Sequence, residues 1–178
     1  VRSRGLGDVY KRQAYNDRRK SCENVAAAIS KRHPEVKSLR DANYELLDEV
    51  RGEVNEEDAL RAHYVIGEKE RVMMVSAALE TEDYEEVGAK MYETHDGLSR
   101  EYEVSCPELD FLVDVARDCG VSGARMMGGG FGGCTINLVS QELYANFIEK
   151  ARVSYQEKFG KAPIVIDVVI GDGARKLC

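Results

Sequence analysis

Apolar positions recur at helical spacing through most of the chain and alternate in only two short stretches. From Ala14 to Arg32 the positions Tyr15, Cys22, Val25, Ala26 and Ile29 fall on one stripe, and His33-Pro34 ends the run, which predicts a helix with one buried face. A shorter helix is expected over Asn43–Arg51, closed by Gly52. A longer one is expected over Glu56–Leu79, where Ala62, Val65, Ile66, Val72, Met73 and Ser76 share a face. Met73 and Met74 are expected to fill core space there. Thr81 reads as the cap of a fourth helix, with Glu82, Asp83, Glu85 and Glu86 in first turns where the macrodipole favours negative charge. Its apolar stripe is Val87, Met91, Tyr92, His95 and Leu98. Ser105-Cys106-Pro107-Glu108 reads as a capping box opening a fifth helix, whose Leu109, Leu112, Val113 and Ala116 face a core before a left-handed exit at Gly120. Ser140 caps a sixth, with Leu143, Tyr144, Phe147, Ile148, Ala151, Tyr155 and Phe159 on one side and Gly160 as its close.

The period changes twice. Cys134, Ile136 and Leu138 alternate with Thr135, Asn137 and Val139, as in a strand half-covered by helices. Ile164–Ile170 reads as a second apolar strand, with the turn Gly171-Asp172-Gly173 after it. No repeat, linker or low-complexity stretch interrupts the order, so the expected class is α+β, with helices packed on a small, mainly antiparallel sheet.

Composition narrows the function classes. At 178 residues, net charge −7 and 43% hydrophobic content, the chain suits one globular domain with a sizeable core. No run of apolar residues reaches membrane-spanning length and no secretory leader is recognised, so a cytosolic protein without membrane contact is expected. The five cysteines, at 22, 106, 119, 134 and 178, form no Cys-x-x-Cys pair, which points to reduced thiols and no zinc site. An acidic balance argues against a nucleic-acid partner, because phosphate neutralisation needs clustered Lys and Arg. Val1–Gln13 fits poorly with the rest of the chain. Its tail, Asp8-Val9-Tyr10-Lys11-Arg12-Gln13, is what GAT GTG TAT AAG AGA CAG encodes, the end of a transposase sequencing adapter. Residues 1–13 are therefore read as a translated scar, with the natural chain extending upstream and the domain occupying 14–178.

One segment has a composition that neither helix nor ordinary loop requires: five of the six residues from Gly128 to Gly133 are glycine. Each loses more backbone freedom on folding than any other residue, so the stretch implies angles closed to other residues or close approach of bare main chain to a ligand or second backbone. A P-loop would need Gly-Lys-Ser/Thr after its first glycines, and Gly129-Gly130 stands there instead. Gly128, Gly130 and Gly133 fit Gly-x-Gly-x-x-Gly, but they lead into a strand rather than a helix. The protein-kinase segments Val-Ala-Ile-Lys, His-Arg-Asp and Asp-Phe-Gly are absent. A glycine hairpin that only packs two elements together remains open on these grounds. His95 reads as a satisfied histidine, Cys106 as a helix-start residue rather than a nucleophile, and the acids near Glu82 as a solvated helix start rather than a metal site.

Gly123-Ala-Arg-Met-Met-Gly-Gly-Gly-Phe-Gly-Gly-Cys-Thr-Ile-Asn-Leu138 closely resembles the third, C-terminal motif of the GHMP small-molecule kinases, in the form found in the galactokinase family. Tyr15-Asn-Asp-Arg-Arg19 with Cys22, Leu39-Arg-Asp41, Arg61-Ala-His-Tyr-Val-Ile66 with Glu70-Arg-Val72, and Glu103-Val-Ser-Cys-Pro-Glu-Leu-Asp110 resemble galactokinase segments in the same order. The resemblance implies a GHMP C-terminal domain whose intact protein moves the terminal phosphoryl group of ATP, with Mg, to the C1 hydroxyl of galactose. It also implies that the catalytic and metal residues lie in an N-terminal half not represented in these 178 residues, so that this chain alone is inactive. A strand precedes the first helix in that family, and its absence implies a sheet incomplete at its N-terminal edge. Tyr15 falls where the family contacts the sugar. Gly128, Gly129, Gly130, Gly132 and Gly133 fall on the loop beside the active site. Met127 departs from the small hydroxyl residue common there. A kinase for N-acetylgalactosamine or arabinose, or a non-catalytic sensor, would share these features.

Overall fold

The computed structural model describes residues 6–169 and 171, with side chains from residue 13 onward. Six helices and one hairpin run in the order α1 (Leu6–Ser30), α2 (Tyr44–Val50), α3 (Glu56–Glu80), α4 (Tyr84–Arg100), α5 (Pro107–Asp118), β1 (Gly123–Met127), β2 (Cys134–Leu138) and α6 (Gln141–Phe159). The expected class holds: helices packed on a small antiparallel sheet, here of two strands among the described residues. No described strand pairs with the outer edge of β2.

Local chemistry sets most boundaries. Asn43, Asn55 and Ser140 each accept a backbone N–H two or three residues inside the helix they open, at Leu46, Asp58 and Leu143. Gly160 leaves α6 in the left-handed region at φ 72°. At the end of α5, Gly120 also has φ 72°, with Val121 N–H donating to Ala116 carbonyl and Gly120 N–H to Arg117 carbonyl, a Schellman close.

Other boundaries differ from expectation. The first helix begins at Leu6 rather than Ala14, since adding residues to a formed helix costs far less than nucleating one. Thr81 does not open α4 but ends α3, its hydroxyl donating back to the Ala78 carbonyl at 3.1 Å. Asp83 is the true cap, accepting from Glu86 N–H. Ser105 gives way to Cys106 as the residue before α5, and the Cys106 side chain makes no capping bond. Met73 and Met74 are exposed at 69% and 48%, not core, because only the N-terminal half of α3 lies against α1 and α2. Residues 164–169 form no strand: Ile164, Ile166, Val168 and Val169 are exposed and no described strand lies beside them. Ile170, Asp172 and Gly173 lie outside the described residues.

Three apolar cores result. The first joins α1, α2 and α3 around Val25, Ile29, Leu47 and Ile66. The second places Val113, Ala116, Ala124, Phe147 and Ala151 between α5, β1 and α6. A small third one, Val104, Leu109 and Met126 with Phe131 and Leu98, lies directly under the glycine loop. α4 meets β1 through bare main chain, since a Cβ on Gly88 would strike the Ser122 carbonyl and one on Gly123 would strike Gly88. Replacing Ile66 with alanine is expected to lower stability by about 2–5 kcal/mol, whereas Met73→Ala is expected to stay within about 0.5 kcal/mol, both read by urea unfolding.

Candidate functional site

The sequence assigns the site to two places more than a hundred residues apart, and the fold brings them into contact. The loop Gly128–Gly133 closes the β1–β2 hairpin, whose register pairs Met127 with Cys134. Gly128, Gly130, Gly132 and Gly133 have φ of 84°, 83°, 110° and 111°, angles at which a Cβ is strained. Gly130 has a second requirement, because a Cβ there would run into the Val104 carbonyl. That carbonyl accepts the Phe131 N–H at 2.7 Å, so the loop is pinned at its middle.

Gly129 faces Tyr15. A Cβ at Gly129 would occupy the space of the Tyr15 hydroxyl, so the phenol lies against bare loop main chain. Tyr15 remains 43% exposed, and its ring meets Phe131 edge-on at 6.1 Å between centroids. Phe131 holds φ 56°, a left-handed angle that costs a non-glycine residue about 1–2 kcal/mol. Its N–H bond to Val104, its contact with Tyr15 and the Arg18 guanidinium 5.2 Å from its ring centre offset that strain.

Arg18, one turn along α1 from Tyr15, is buried. It donates to the carbonyls of Ala14 at 3.0 Å, Tyr102 at 2.7 Å and Glu103 at 2.5 Å. Burial pulls its pKa down, with the neighbouring Arg61 adding to the effect and Glu103 opposing it; a guanidinium stays charged regardless. Arg61 is buried as well, donating to Ser21 Oγ at 3.0 Å and pairing with Glu57 and Glu103. Spacing alone singles out neither arginine. The signal that could have found them is their placement on the buried stripes of α1 and α3, where an unpaired cation is too costly to be incidental.

The remaining candidates sit apart from this contact. His95 is 3% exposed beneath the hairpin, with Nδ1 accepting from the Met126 N–H and Nε2 facing Asp110. Cys106 has its thiol pKa pushed up, by burial first, so the lowering expected of a helix start does not occur. Two shallow clefts of about 320 and 260 Å3 open between α1 and α3 beside Asn24 and Asp58. Asp58 there accepts from Asn24 at 2.8 Å and Asn55 at 3.1 Å, and neither cleft borders the loop. Among the described residues no group of three or more His, Cys, Asp or Glu is placed to hold a metal ion, and no helix is long and apolar enough to cross a membrane.

Residues 75–155, which span α4, α5, the hairpin and most of α6, match the family described as GHMP kinases C terminal. This segment is a GHMP kinase C-terminal domain. The chain is 42% identical to a Homo sapiens galactokinase over 165 residues, 92% of the chain and 40% of that relative. It is 38% identical to a Clostridium beijerinckii galactokinase over 178 residues, 99% of the chain and 44% of the relative. A crystal structure of Lactococcus lactis galactokinase complexed with galactose superposes with a TM-score of 0.79 at 28% identity, over 90% of the chain and 41% of that structure. The chain thus spans less than half the length of the galactokinases it matches.

The two kinds of glycine in the GHMP loop separate experimentally. Gly128→Ala meets no neighbouring atom and is expected to cost about 1–2 kcal/mol from its left-handed angle alone. Gly130→Ala adds the collision with Val104, and urea unfolding is expected to show a loss at least about 1 kcal/mol larger.

Proposed function

We propose that the intact protein carrying this domain is a galactokinase, transferring the terminal phosphoryl group of ATP to the C1 hydroxyl of galactose. The observation that supports this most directly is the meeting of Tyr15 with Gly129, in a chain 42% identical to a galactokinase. An exposed phenol offers a sugar an apolar face and one directed hydrogen bond, and the ring rests against Phe131 while staying 43% exposed. The bare main chain of Gly128–Gly130 forms the wall beside it, close enough to approach a ligand or the backbone of a neighbouring domain.

ATP supplies the phosphoryl group when bound. Among the described residues no acids are grouped so as to hold Mg, and no step is assigned to the metal. Phosphoryl transfer rests on positioning and charge stabilisation, so a chain with no phosphate-loop sequence, and no metal-holding group among its described residues, is expected to be inactive by itself. Within that division of labour, Tyr15 binds sugar, the glycines wall the site, and Arg18 and Phe131 position both.

The test uses the product of the complete gene in a galactose-dependent ADP-release assay. N-acetylgalactosamine and arabinose serve as competing substrates, and absence of turnover with all three would indicate a non-catalytic sensor. Tyr15→Phe is expected to raise the KM for galactose about five- to tenfold through one lost hydrogen bond, with the KM for ATP within about twofold. An equal rise in both would remove Tyr15 from the sugar site.

A further inference from the structure

The loop is pinned at two points, Met126 just before it and Phe131 within it, and both pins trace back to one carboxylate. Met126 lies in β1 opposite Thr135, with its N–H turned away from β2. That buried N–H donates to His95 Nδ1 on α4 at 3.2 Å. An amide can only donate, so Nδ1 is the unprotonated nitrogen and the ring hydrogen sits on Nε2. Nε2 faces Asp110 Oδ1 on α5 at 3.2 Å, a charge contact across the two helices. The second pin is the Val104 carbonyl, which accepts the Phe131 N–H. Val104 belongs to the connector between α4 and α5. That connector is tied down by its neighbour Ser105, whose hydroxyl donates to Asp110 Oδ1 at 2.5 Å. Ser99, in the last turn of α4, donates to Asp110 Oδ2 at 3.1 Å.

We propose that the His95–Asp110 pair is the positioning device of the glycine loop, His95 acting through the Met126 N–H and Asp110 through Ser105 and the Val104 carbonyl. The carboxylate favours one imidazole tautomer, and that tautomer satisfies a β1 N–H that would otherwise be an orphan donor in the core under the loop. The inference rests on contacts within this chain and holds whichever sugar or nucleotide the intact protein takes.

The arrangement is sensitive to acid. Burial, above all, lowers the pKa of His95 below its ordinary 6.5. The folded state therefore binds fewer protons than the unfolded one. Its stability is intact above pH 6.5 and is lost as pH falls from there through the folded pKa. Protonation places a hydrogen on Nδ1, facing the Met126 N–H. The charges that reach His95 are Asp110, Asp114 and Arg117 on α5 and Asp96 on its own helix, where Arg117 Nη2 donates to both Asp96 carboxylate oxygens at 2.8 Å. From β1 the adjacent charge is Arg125, which donates to the Met126 carbonyl at 3.2 Å.

Amide hydrogen exchange on the 178-residue chain tests the proposal, with α6 amides as the internal standard. His95→Asn, whose amide oxygen can stand where Nδ1 stands, is expected to keep Met126 protected. His95→Phe is expected to raise exchange at Met126 and Gly128–Gly130 about tenfold or more over α6. Ser105→Ala is expected to expose Phe131 while sparing Met126. Unchanged protection at Met126 in a folded His95→Phe chain would overturn the assignment. Should that variant fail to fold, acid titration of the unmodified chain decides. Loss of protection at Met126 and Gly128 ahead of α6 supports the pair as the device, and simultaneous loss everywhere refutes it.

Discussion

A single buried guanidinium holds the site in its shape. Arg18 reaches the carbonyls of Ala14, Tyr102 and Glu103 and lies against the ring of Phe131. Those four residues belong to α1, to the connector after α4 and to the loop, three pieces with no common strand or helix. Five fixed N–H donors in a planar fork suit this role better than an ammonium would. Desolvating the charge is costly, and the cost is offset by carbonyl dipoles and by Glu103 rather than by a close carboxylate pair. Tyr15 stands one turn away on the same helix, so its position against Gly129 depends on where Arg18 is held.

The glycines of the loop answer two separate demands. Gly130 must leave room for the Val104 carbonyl, and Gly129 for the Tyr15 hydroxyl. Gly128, Gly132 and Gly133 supply left-handed turns without touching a close neighbour. The run is therefore no uniform flexible linker; it is a turn of fixed shape over a small apolar patch of Val104, Leu109 and Met126. A strained Phe131 in its midst is consistent with geometry selected for what the loop faces rather than for its own ease.

Much of this was legible from residue order where the signal was local. Asn43, Asn55 and Ser140 cap, and Gly120 and Gly160 exit, because each such motif is complete within five or six residues. Ser105 misled because its hydroxyl had a stronger partner, Asp110, in the next turn. Thr81 misled because Asp83 offered a carboxylate to the same helix start. Met73 and Met74 carry the period of a buried face, but periodicity cannot say where along a helix its neighbours stop. At the candidate site, Tyr15 and the glycines were singled out through their resemblance to known segments. Arg18 and Phe131 were not, because their partners Tyr102, Glu103 and Val104 lie far away in sequence.

The tract 164–169 shows the same limit from the other side. It has the composition of a strand and Ile164, Ile166, Val168 and Val169 stand uncovered, while the Tyr144 hydroxyl donates to Asp167 from α6. An uncovered, β-branched tract beside which no described strand lies is a template on which another copy can build an intermolecular ladder. At high concentration, self-association of the chain is expected to begin at this tract, with Asp167 a charge set against it.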